Sequence, residues 1–425
     1  MDTQEAVGRE YRPRVLDTVL QSALSFSGAV VIEGARACGK TMTALNAAGS
    51  YVFIDDPATQ QLLELAPASV LEGDAPRLLD EWQLAPELWN LVRRSVDASP
   101  NRGRFILTGS AVPADDITRH TGAGRFLRLR QRTLSWSEKQ HHPTDHLSLS
   151  ALLEGERPAA SPGPAQTLAD VISLLLQAGF PAMSDLPSQQ SARLLRAYLD
   201  EVVRTDIGRI ADVRQDPRVV YQLVTSLART VASETKLTTL ATDLRTVAPS
   251  ITADTVGRYL SLLERLFIVE PQQSWSPTLR SRARLRTSPK LHLADPALAA
   301  AALGATETHL MNDLETLGLL FESAVVHDLN VYSSTFEGEV RHYRDSNGKE
   351  IDAIITLPDG RWAAIEVKLG RRQIPAAVRS LDSAIADIDT SVVGEPALKL
   401  IVTGTGPIAT LDNGTVTCPL STLRP

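Results

Sequence analysis

The chain has 425 residues, a formal net charge of −7 and an ordinary globular composition, with 43% hydrophobic and 22% charged residues. This length predicts about three domains. The acidic balance excludes a protein that is basic over its whole surface, so any nucleic-acid contact must be local. The only cysteines, Cys38 and Cys418, exclude a disulfide framework and a zinc-ligand spacing, and they fit a reducing cytoplasm. The polar start and the lack of a long apolar run predict no membrane span.

The first motif follows a short apolar run at 29–33, which predicts a buried strand, and precedes a helical pattern at 42–48. It matches the phosphate-binding pattern G-x-x-x-x-G-K-[ST] and consists of Gly34, Ala35, Arg36, Ala37, Cys38, Gly39, Lys40 and Thr41. A loop between a strand and a helix N-terminus directs backbone N–H groups and the positive end of the helix dipole at one point. Lys40 is expected to reach the phosphates and Thr41 to bind Mg²⁺, so ATP and Mg²⁺ are the predicted cofactors. The alternative is a chance glycine turn.

A second apolar strand, predicted at 77–79, ends in two acids. Asp80 is expected to hold magnesium and Glu81 to polarise the attacking water, as in a Walker B motif. Leu-Leu-Asp-Glu is also common in helices, so the motif gains its weight from the phosphate loop upstream. Asp55 and Asp56, which follow another predicted strand, are the rival pair.

A third buried strand at 104–107 ends in small polar residues, and in nucleotide-driven ATPases such a strand lies beside the Walker B strand. Thr108 and Ser110 are therefore candidate sensors of the γ-phosphate; a plain strand end is the alternative. Arginines crowd the segment that follows. Arg125, after Gly124, is a candidate arginine finger that neutralises transition-state charge. A solvated basic strand would have the same composition.

In this order, the motifs resemble the prokaryotic AAA-type ATPases that carry a C-terminal DUF4143 region. The resemblance includes the Leu-Ser-Trp-Ser-Glu segment at 134–138 and covers nearly the whole chain. It implies an α/β fold that begins with the parallel sheet of a P-loop NTPase domain. A proline-rich stretch marks a linker. The predicted order is a P-loop ATPase domain at 1–140, a linker at 141–165, a helical region at 166–216, a winged-helix-like domain at 217–300 and a DUF4143 nuclease-like domain at 301–425.

The region before the last domain predicts three helices, at 221–232, 237–244 and 252–266, with the spacing of a helix-turn-helix. A basic segment follows, and its cations are Arg280, Arg282, Arg284, Arg286 and Lys290. These residues would form a basic wing beside the third helix, so DNA is a predicted partner. In the resembled family this region is like a winged helix. A helical module for protein contact, with solvated arginines, is the alternative.

The last domain places carboxylates at defined positions. Glu322 lies on the apolar side of a helix predicted at 314–329, where a carboxylate needs a partner. A hairpin around Pro358-Asp359-Gly360 places Asp352 directly opposite Glu366, and Lys368 shares the face of Glu366.

This geometry is that of a PD-(D/E)xK nuclease core. Asp352 and Glu366 would hold magnesium, Glu322 would support a metal or a water, and Lys368 would activate water or stabilise the phosphorane. The DUF4143 region resembles this fold, and all four positions match it. The alternative is a structural ion-pair cluster in a domain that no longer cuts.

The sequence thus predicts a cytoplasmic ATPase whose nucleotide state controls DNA binding and metal-dependent DNA cleavage. The first alternative is a nucleotide-dependent regulatory switch that binds a protein partner and keeps an inactive nuclease fold. The second is a DNA-binding ATPase without cleavage. The pattern leaves open whether the chain forms a homo-oligomer.

Overall fold

The computed structural model describes residue 8 and residues 10–110, 123–139, 146–210, 216–277 and 288–425, with the backbone alone at 209 and 210. The chain divides into two compact units. The first comprises Met1–Thr133 and Arg265–Ile268, and the second comprises Leu134–Glu264 and Val269–Pro425.

The first unit is an α/β domain built on a parallel sheet. Its strands are β1 (Ala29–Glu33), β2 (Ser50–Phe53), β3 (Arg77–Asp80), β4 (Phe105–Gly109) and β5 (Phe126–Arg130). Its helices are α1 (Leu16–Phe26), α2 (Lys40–Ala47), α3 (Pro57–Leu65) and α4 (Leu88–Asp97). The strand order is β2-β3-β4-β1-β5, and each neighbouring pair is parallel. This arrangement confirms the parallel-sheet domain predicted for the N-terminal part of the chain.

Both faces of this sheet are covered, which explains why β1 reads as a continuous apolar run. Val30 and Ile32 pack with α1 and α2 in one core cluster. Ala29 and Val31 pack with α4 and Trp82 in the cluster on the other face. Because successive side chains of a strand point to opposite faces, all four must be apolar.

The second unit begins with short elements and helices. They are α5 (Trp136–Lys139), β6 (Leu147–Ser148), α6 (Leu149–Leu153), α7 (Leu168–Leu176), α8 (Ser188–Glu201), a π-helical turn (Val202–Asp206) and α9 (Ile207–Ile210). The segment predicted as a linker, 141–165, thus contains the short elements β6 and α6. Its proline-rich part is also tied down, because Ser161 forms a β-bridge with Ile408.

Three helices and a small sheet follow. They are α10 (Pro217–Arg229), β7 (Ser233–Glu234), α11 (Leu237–Leu244), α12 (Ala253–Arg265), β8 (Val269–Gln272) and β9 (Lys290–Leu293). The sheet order is β7-β9-β8, with both pairs antiparallel. The three predicted helices are present. The residues between β8 and β9 include 278–287, so Arg280, Arg282, Arg284 and Arg286 lie outside the described residues.

The C-terminal part carries a mixed sheet and its covering helices. The helices are α13 (Pro296–Leu303), α14 (Glu307–Asn312), α15 (Leu314–Ser333), α16 (Ile374–Ala386) and α17 (Thr390–Val393). The strands are β10 (Glu339–Arg344), β11 (Glu350–Thr356), β12 (Trp362–Gly370), β13 (Leu398–Thr405), β14 (Ala409–Thr410), β15 (Val416–Pro419) and β16 (Leu423–Arg424). The sheet order is β10-β11-β12-β13-β15-β14, and β16 pairs with β6. None of the helices among the described residues combines the length and the apolarity needed to cross a membrane.

The predicted hairpin register is confirmed. Ala353 pairs with Ile365, and Thr356 pairs with Trp362. The loop between the strands closes with a hydrogen bond from the Leu357 N–H to the Arg361 carbonyl at 2.9 Å, and Gly360 adopts a φ of 89°. A left-handed residue at this position is the reason that glycine ends the turn.

A buried carboxylate connects the start of the second unit to α15. Asp328 is fully buried, and its Oδ2 accepts hydrogen bonds from the Trp136 N–H at 2.9 Å and the Tyr332 hydroxyl at 3.1 Å. The His327 Nδ1 lies 2.9 Å from its Oδ1. A buried charge is tolerated only where such partners satisfy it, so this contact fixes the segment that begins at Leu134.

We expect Asp328→Ala to lower the free energy of unfolding by about 3 kcal/mol, because it leaves the buried Trp136 N–H and Tyr332 hydroxyl without an acceptor. The matched control is Asp382→Ala, since Asp382 is partly exposed and pairs with Lys399 at 2.9 Å. That loss should stay within about 1 kcal/mol. Urea denaturation of both variants measures the difference. Equal losses in the two variants would show that Asp328 does not anchor the segment.

Candidate functional site

The phosphate loop joins β1 to α2, as the sequence predicts. Gly39 has a φ of 103°, a left-handed conformation that suits glycine. A Cβ on Gly34 would overlap the carbonyl oxygen of Gln131. The glycines of the motif are therefore required by the backbone path itself, and the loop leads directly into the N-terminus of α2.

The Lys40 ammonium is directed into this loop. Its Nζ donates to the Gly34 carbonyl at 3.0 Å and to the Ala35 carbonyl at 2.9 Å, and the residue is 5% exposed. The loop holds its cation on its inner side, where phosphate oxygens can replace the carbonyls as acceptors.

Two residues that sequence reasoning missed support the loop from behind. The Arg14 guanidinium donates to the Cys38 carbonyl at 3.0 Å. The Gln131 amide donates to the same carbonyl at 3.3 Å and to the Thr43 hydroxyl at 3.1 Å. Cys38 itself is a free, buried cysteine. Neither Arg14 nor Gln131 belongs to a motif, so only the folded chain reveals their position.

Asp80 lies at the end of β3 beside Thr41. The Thr41 hydroxyl donates to Asp80 Oδ1 at 2.9 Å, and the Thr108 hydroxyl donates to the same oxygen. Burial raises the pKa of the Asp80 carboxyl to about 6, although both hydroxyls act in the opposite direction. The predicted magnesium ligands, Thr41 and Asp80, are therefore in direct contact.

Glu81 follows Asp80 and takes a left-handed conformation, with a φ of 57°. Its N–H donates to the Thr108 hydroxyl at 3.3 Å, and its carboxylate accepts hydrogen bonds from the Gln83 amide and the Ser110 hydroxyl. Such a backbone conformation is unusual for a glutamate and persists only where neighbours hold it. The carboxylate that is predicted to polarise water is thus held at the same sheet edge as the phosphate loop.

Thr108 connects these two acids. It is 1% exposed, and its hydroxyl is engaged by Asp80 and by the Glu81 N–H. Thr108 thereby positions Asp80 and Glu81, and its role as a γ-phosphate sensor stays a prediction. Ser110, the other candidate sensor, is half-buried and lies beside the Glu81 carboxylate.

The rival acids lie elsewhere in the sheet. Asp56 is exposed, and its carboxylate caps α3 by accepting from the Ala58 N–H at 2.7 Å. Asp55, its neighbour, is also exposed. Both follow the edge strand β2, which β3 and β4 separate from β1. The geometry favours Asp80 and Glu81 as the Walker B pair.

The structure corrects the position predicted for Arg125. This residue precedes β5, and Phe126 pairs with Ala29 at the start of β1. The phosphate loop follows the opposite end of β1, because the two strands are parallel. Arg125 donates instead to the Asp97 carboxylate at 2.9 Å. The strand register and this contact place Arg125 away from the phosphate loop of its own chain and do not favour an arginine-finger role there.

The second unit brings together the four residues predicted for the nuclease-like cluster. The Lys368 ammonium lies 2.8 Å from Glu366 Oε1 and 3.8 Å from Asp352 Oδ2. Asp352 Oδ2 also accepts from the Val367 N–H at 2.8 Å. Glu322 reaches the same place from α15 and shares a lysine with Asp352.

That lysine is Lys290, which the sequence analysis assigned to a basic wing. This assignment is wrong, because Lys290 is buried and its Nζ lies 2.6 Å from Glu322 Oε1 and 3.8 Å from Asp352 Oδ1. A sequence separation of 32 residues from Glu322 gave no local signal for this pair. The carboxylate cluster, defined as Lys290, Glu322, Asp352, Glu366 and Lys368, thus contains two cations rather than one.

The cluster is short of positive charge. Burial and the charge of Asp352 raise the pKa of both Glu322 and Glu366, while Lys290 and Lys368 oppose this shift. Burial pushes the pKa of Lys290 down, but Glu322 and Asp352 outweigh it and the net shift is upward. Within the described ranges, no group of three or more His, Cys, Asp or Glu residues is arranged to hold a metal ion.

Family models match three segments of the chain. An AAA domain matches residues 27–139, a domain of unknown function (DUF8612) matches 168–309, and a domain of unknown function (DUF4143) matches 317–423. The DUF8612 match spans both the predicted helical region and the predicted winged-helix-like domain.

Curated relatives resemble nearly the whole chain. Uncharacterized proteins of Mycobacterium bovis and Mycobacterium tuberculosis are each 23% identical over 407 residues, which cover 91% of this chain and 83% of the relative.

Two solved structures are similar at low scores. A Walker-type ATPase of Pyrococcus abyssi is 12% identical at a TM-score of 0.41, and the overlap covers 69% of this chain and 96% of that one. A STAND ATPase with a tetratricopeptide repeat sensor, from Pyrococcus horikoshii, is 13% identical at a TM-score of 0.21, with coverage of 76% and 50%. The assignment therefore rests on the family models and on the geometry of the loop: the chain combines an AAA-type P-loop ATPase domain with a DUF4143 region.

Proposed function

We propose that the first unit binds ATP with Mg²⁺ at the phosphate loop and hydrolyses it. The observation that carries this proposal is the contact of Thr41 with Asp80, at 2.9 Å, at the sheet edge where Glu81 is held. Hydroxyl and carboxylate oxygens are the ligands that Mg²⁺ prefers, so these residues fit the ion. The AAA-domain match over 27–139 supports the same activity.

Each residue then has a distinct task. Lys40 exchanges its two carbonyl acceptors for phosphate oxygens, while the loop N–H groups and the α2 dipole hold the remaining negative charge. Glu81 orients a water molecule and accepts its proton. Thr108 keeps Glu81 and Asp80 in their relative positions. When bound, Mg²⁺ supplies charge neutralisation on the phosphates.

Lys40→Ala should abolish nucleotide binding, because it removes the ammonium group that donates to the Gly34 and Ala35 carbonyls on the inner side of the loop. Calorimetric titration with ATP and Mg²⁺ measures the affinity. Lys399→Ala, in the other unit, is the control and should bind like wild type. Unchanged affinity in Lys40→Ala would show that the nucleotide site lies elsewhere.

Glu81→Gln should retain ATP binding and lose turnover by roughly 10²-fold or more, as expected for a lost general base. The amide has the same shape but cannot accept the proton of the attacking water. Asp56→Asn is the matched control, since Asp56 is an exposed helix cap. Steady-state phosphate release compares the two. If Asp56→Asn loses turnover and Glu81→Gln does not, the Walker B acids are those that follow β2 and not those that follow β3.

DNA binding by residues 217–300 is a second candidate function. The order of three helices, then β8 and β9, with β9 between β7 and β8, is the order of a winged helix, and this supports the candidate. Four arginines lie in the segment that connects β8 to β9. A basic segment that connects two strands of this sheet would suit contact with a phosphate backbone. Binding of a protein partner remains the alternative.

Reversal of Arg282, Arg284 and Arg286 to Glu should weaken duplex binding and flatten its dependence on salt, because fewer counterions are released. Gel shifts at several salt concentrations give both quantities. Reversal of Arg371, Arg372 and Arg379, which are exposed in the same unit, changes the net charge equally and is the control. If both triple variants bind DNA like wild type, the protein-docking alternative is favoured.

Phosphodiester cleavage at the carboxylate cluster stays a prediction. A divalent ion there meets carboxylates that already lie 2.6 Å and 2.8 Å from lysine ammonium groups. The cluster therefore does not fit a metal ion in the way that Thr41 and Asp80 do. This geometry favours a second unit that binds a partner under the control of the ATPase rather than one that cuts nucleic acid.

A further inference from the structure

We propose that Lys290 is the resident cation of the carboxylate cluster and that it excludes divalent metal ions from it. This inference goes beyond ATP hydrolysis and does not depend on it. In this inference Lys290 occupies the carboxylate cluster, where the sequence pattern predicts magnesium.

The charges of the cluster support this role. Asp352 lies between two ammonium groups, each 3.8 Å from one of its oxygens. Each ammonium group lies closer to a glutamate than to Asp352. Lys290 is 2.6 Å from Glu322, and Lys368 is 2.8 Å from Glu366. The Lys290 side chain is only 7% exposed, so water screens these contacts little.

The fold delivers Lys290 to this position. It begins β9, where it pairs with Glu234 of β7 and Gln272 of β8. The Gln272 amide in turn donates to the Asp352 carbonyl at 3.0 Å. The pairing of β9 with its neighbouring strands therefore fixes Lys290 beside Asp352. Lys290 is not a flexible surface lysine that reaches the cluster by chance.

A second anchor lies one step along the same strand face. His292 shares that face with Lys290, and its Nδ1 lies 3.1 Å from the hydroxyl of Ser323, the residue after Glu322. The His292–Ser323 contact, next to the Lys290–Glu322 pair, thus helps to hold β9 against α15. A divalent ion between Glu322 and Asp352 would stand within a few ångströms of this fixed ammonium, where like charges repel strongly.

One buried oxygen of the cluster is available as a ligand for an ion. Glu366 Oε2 is buried and has no hydrogen-bond partner among the described residues. The residue as a whole is 5% exposed. Removal of Lys290 would leave three carboxylates with one lysine, and a divalent ion could then replace the lost charge.

The test compares wild type with Lys290→Met in the full chain without nucleotide, with Mn²⁺ as the probe. Binding is counted by electron paramagnetic resonance of free Mn²⁺. We expect Lys290→Met to bind one more ion per chain than wild type and to lose it again in Lys290→Met/Asp352→Asn. We also expect its Tm to fall in EDTA and to recover with Mn²⁺, whereas the wild-type Tm stays unchanged. Lys399→Met, which removes a paired lysine of the same domain, should gain no ion.

Three results would overturn the inference. The first is that wild type binds an ion that is lost in Asp352→Asn. The second is that Lys290→Met folds but binds no additional ion. The third is that Lys290→Met fails to fold in Mn²⁺ as well as in EDTA. A further variant, Lys290→Met/Glu322→Gln, removes one charge of each sign and should fold in EDTA. Its failure to fold would show that Lys290 acts through packing rather than as a cation. Because metal binding is the readout, these outcomes are separate from any result on ATP turnover.

Discussion

The insertion of β4 between β1 and β3 is the constraint on which the nucleotide site depends. In a parallel sheet all carboxyl ends meet at one edge, so the polar end of β4 lies between the phosphate loop and the two acids after β3. Thr108 can therefore engage Asp80 and the backbone of Glu81 at once. The left-handed backbone of Glu81 is stabilised in this way, and a different strand order would separate these groups.

Buried charge is the corresponding constraint in the second unit. Asp328 is satisfied by neutral donors of the backbone and of Tyr332, and it ties the start of the unit to α15. On the same helix Glu322 is satisfied by a lysine. Two carboxylates on one helix thus have different partners, and the partners decide whether each one is structural or is part of a charged cluster.

The sequence predicted the features that depend on residues close together along the chain. The phosphate loop follows from its spacing, and the pairing across the last hairpin follows from the turn and from the period of two along a strand. Arg125 was placed wrongly because its end of β5 depends on the parallel register with β1. Arg14 was missed and Lys290 was assigned to the wrong site because their partners lie far along the chain, at Cys38 and Glu322, and no local pattern encodes such pairs.

The acidic sites at Asp80 and Asp352 differ in how much negative charge their neighbouring groups leave uncompensated. Asp80 is held by hydroxyls, which orient the carboxylate but leave its negative charge uncompensated, so a divalent ion adds what is lacking. Asp352 is flanked by two ammonium groups, which supply part of the positive charge that a divalent ion would otherwise add. The residue types at the second site match a metal-dependent nuclease, yet chemistry depends on charge balance as well as on residue type. This contrast is the physical basis of the two proposals, that magnesium binds in the first unit and that the second unit binds a partner without a metal.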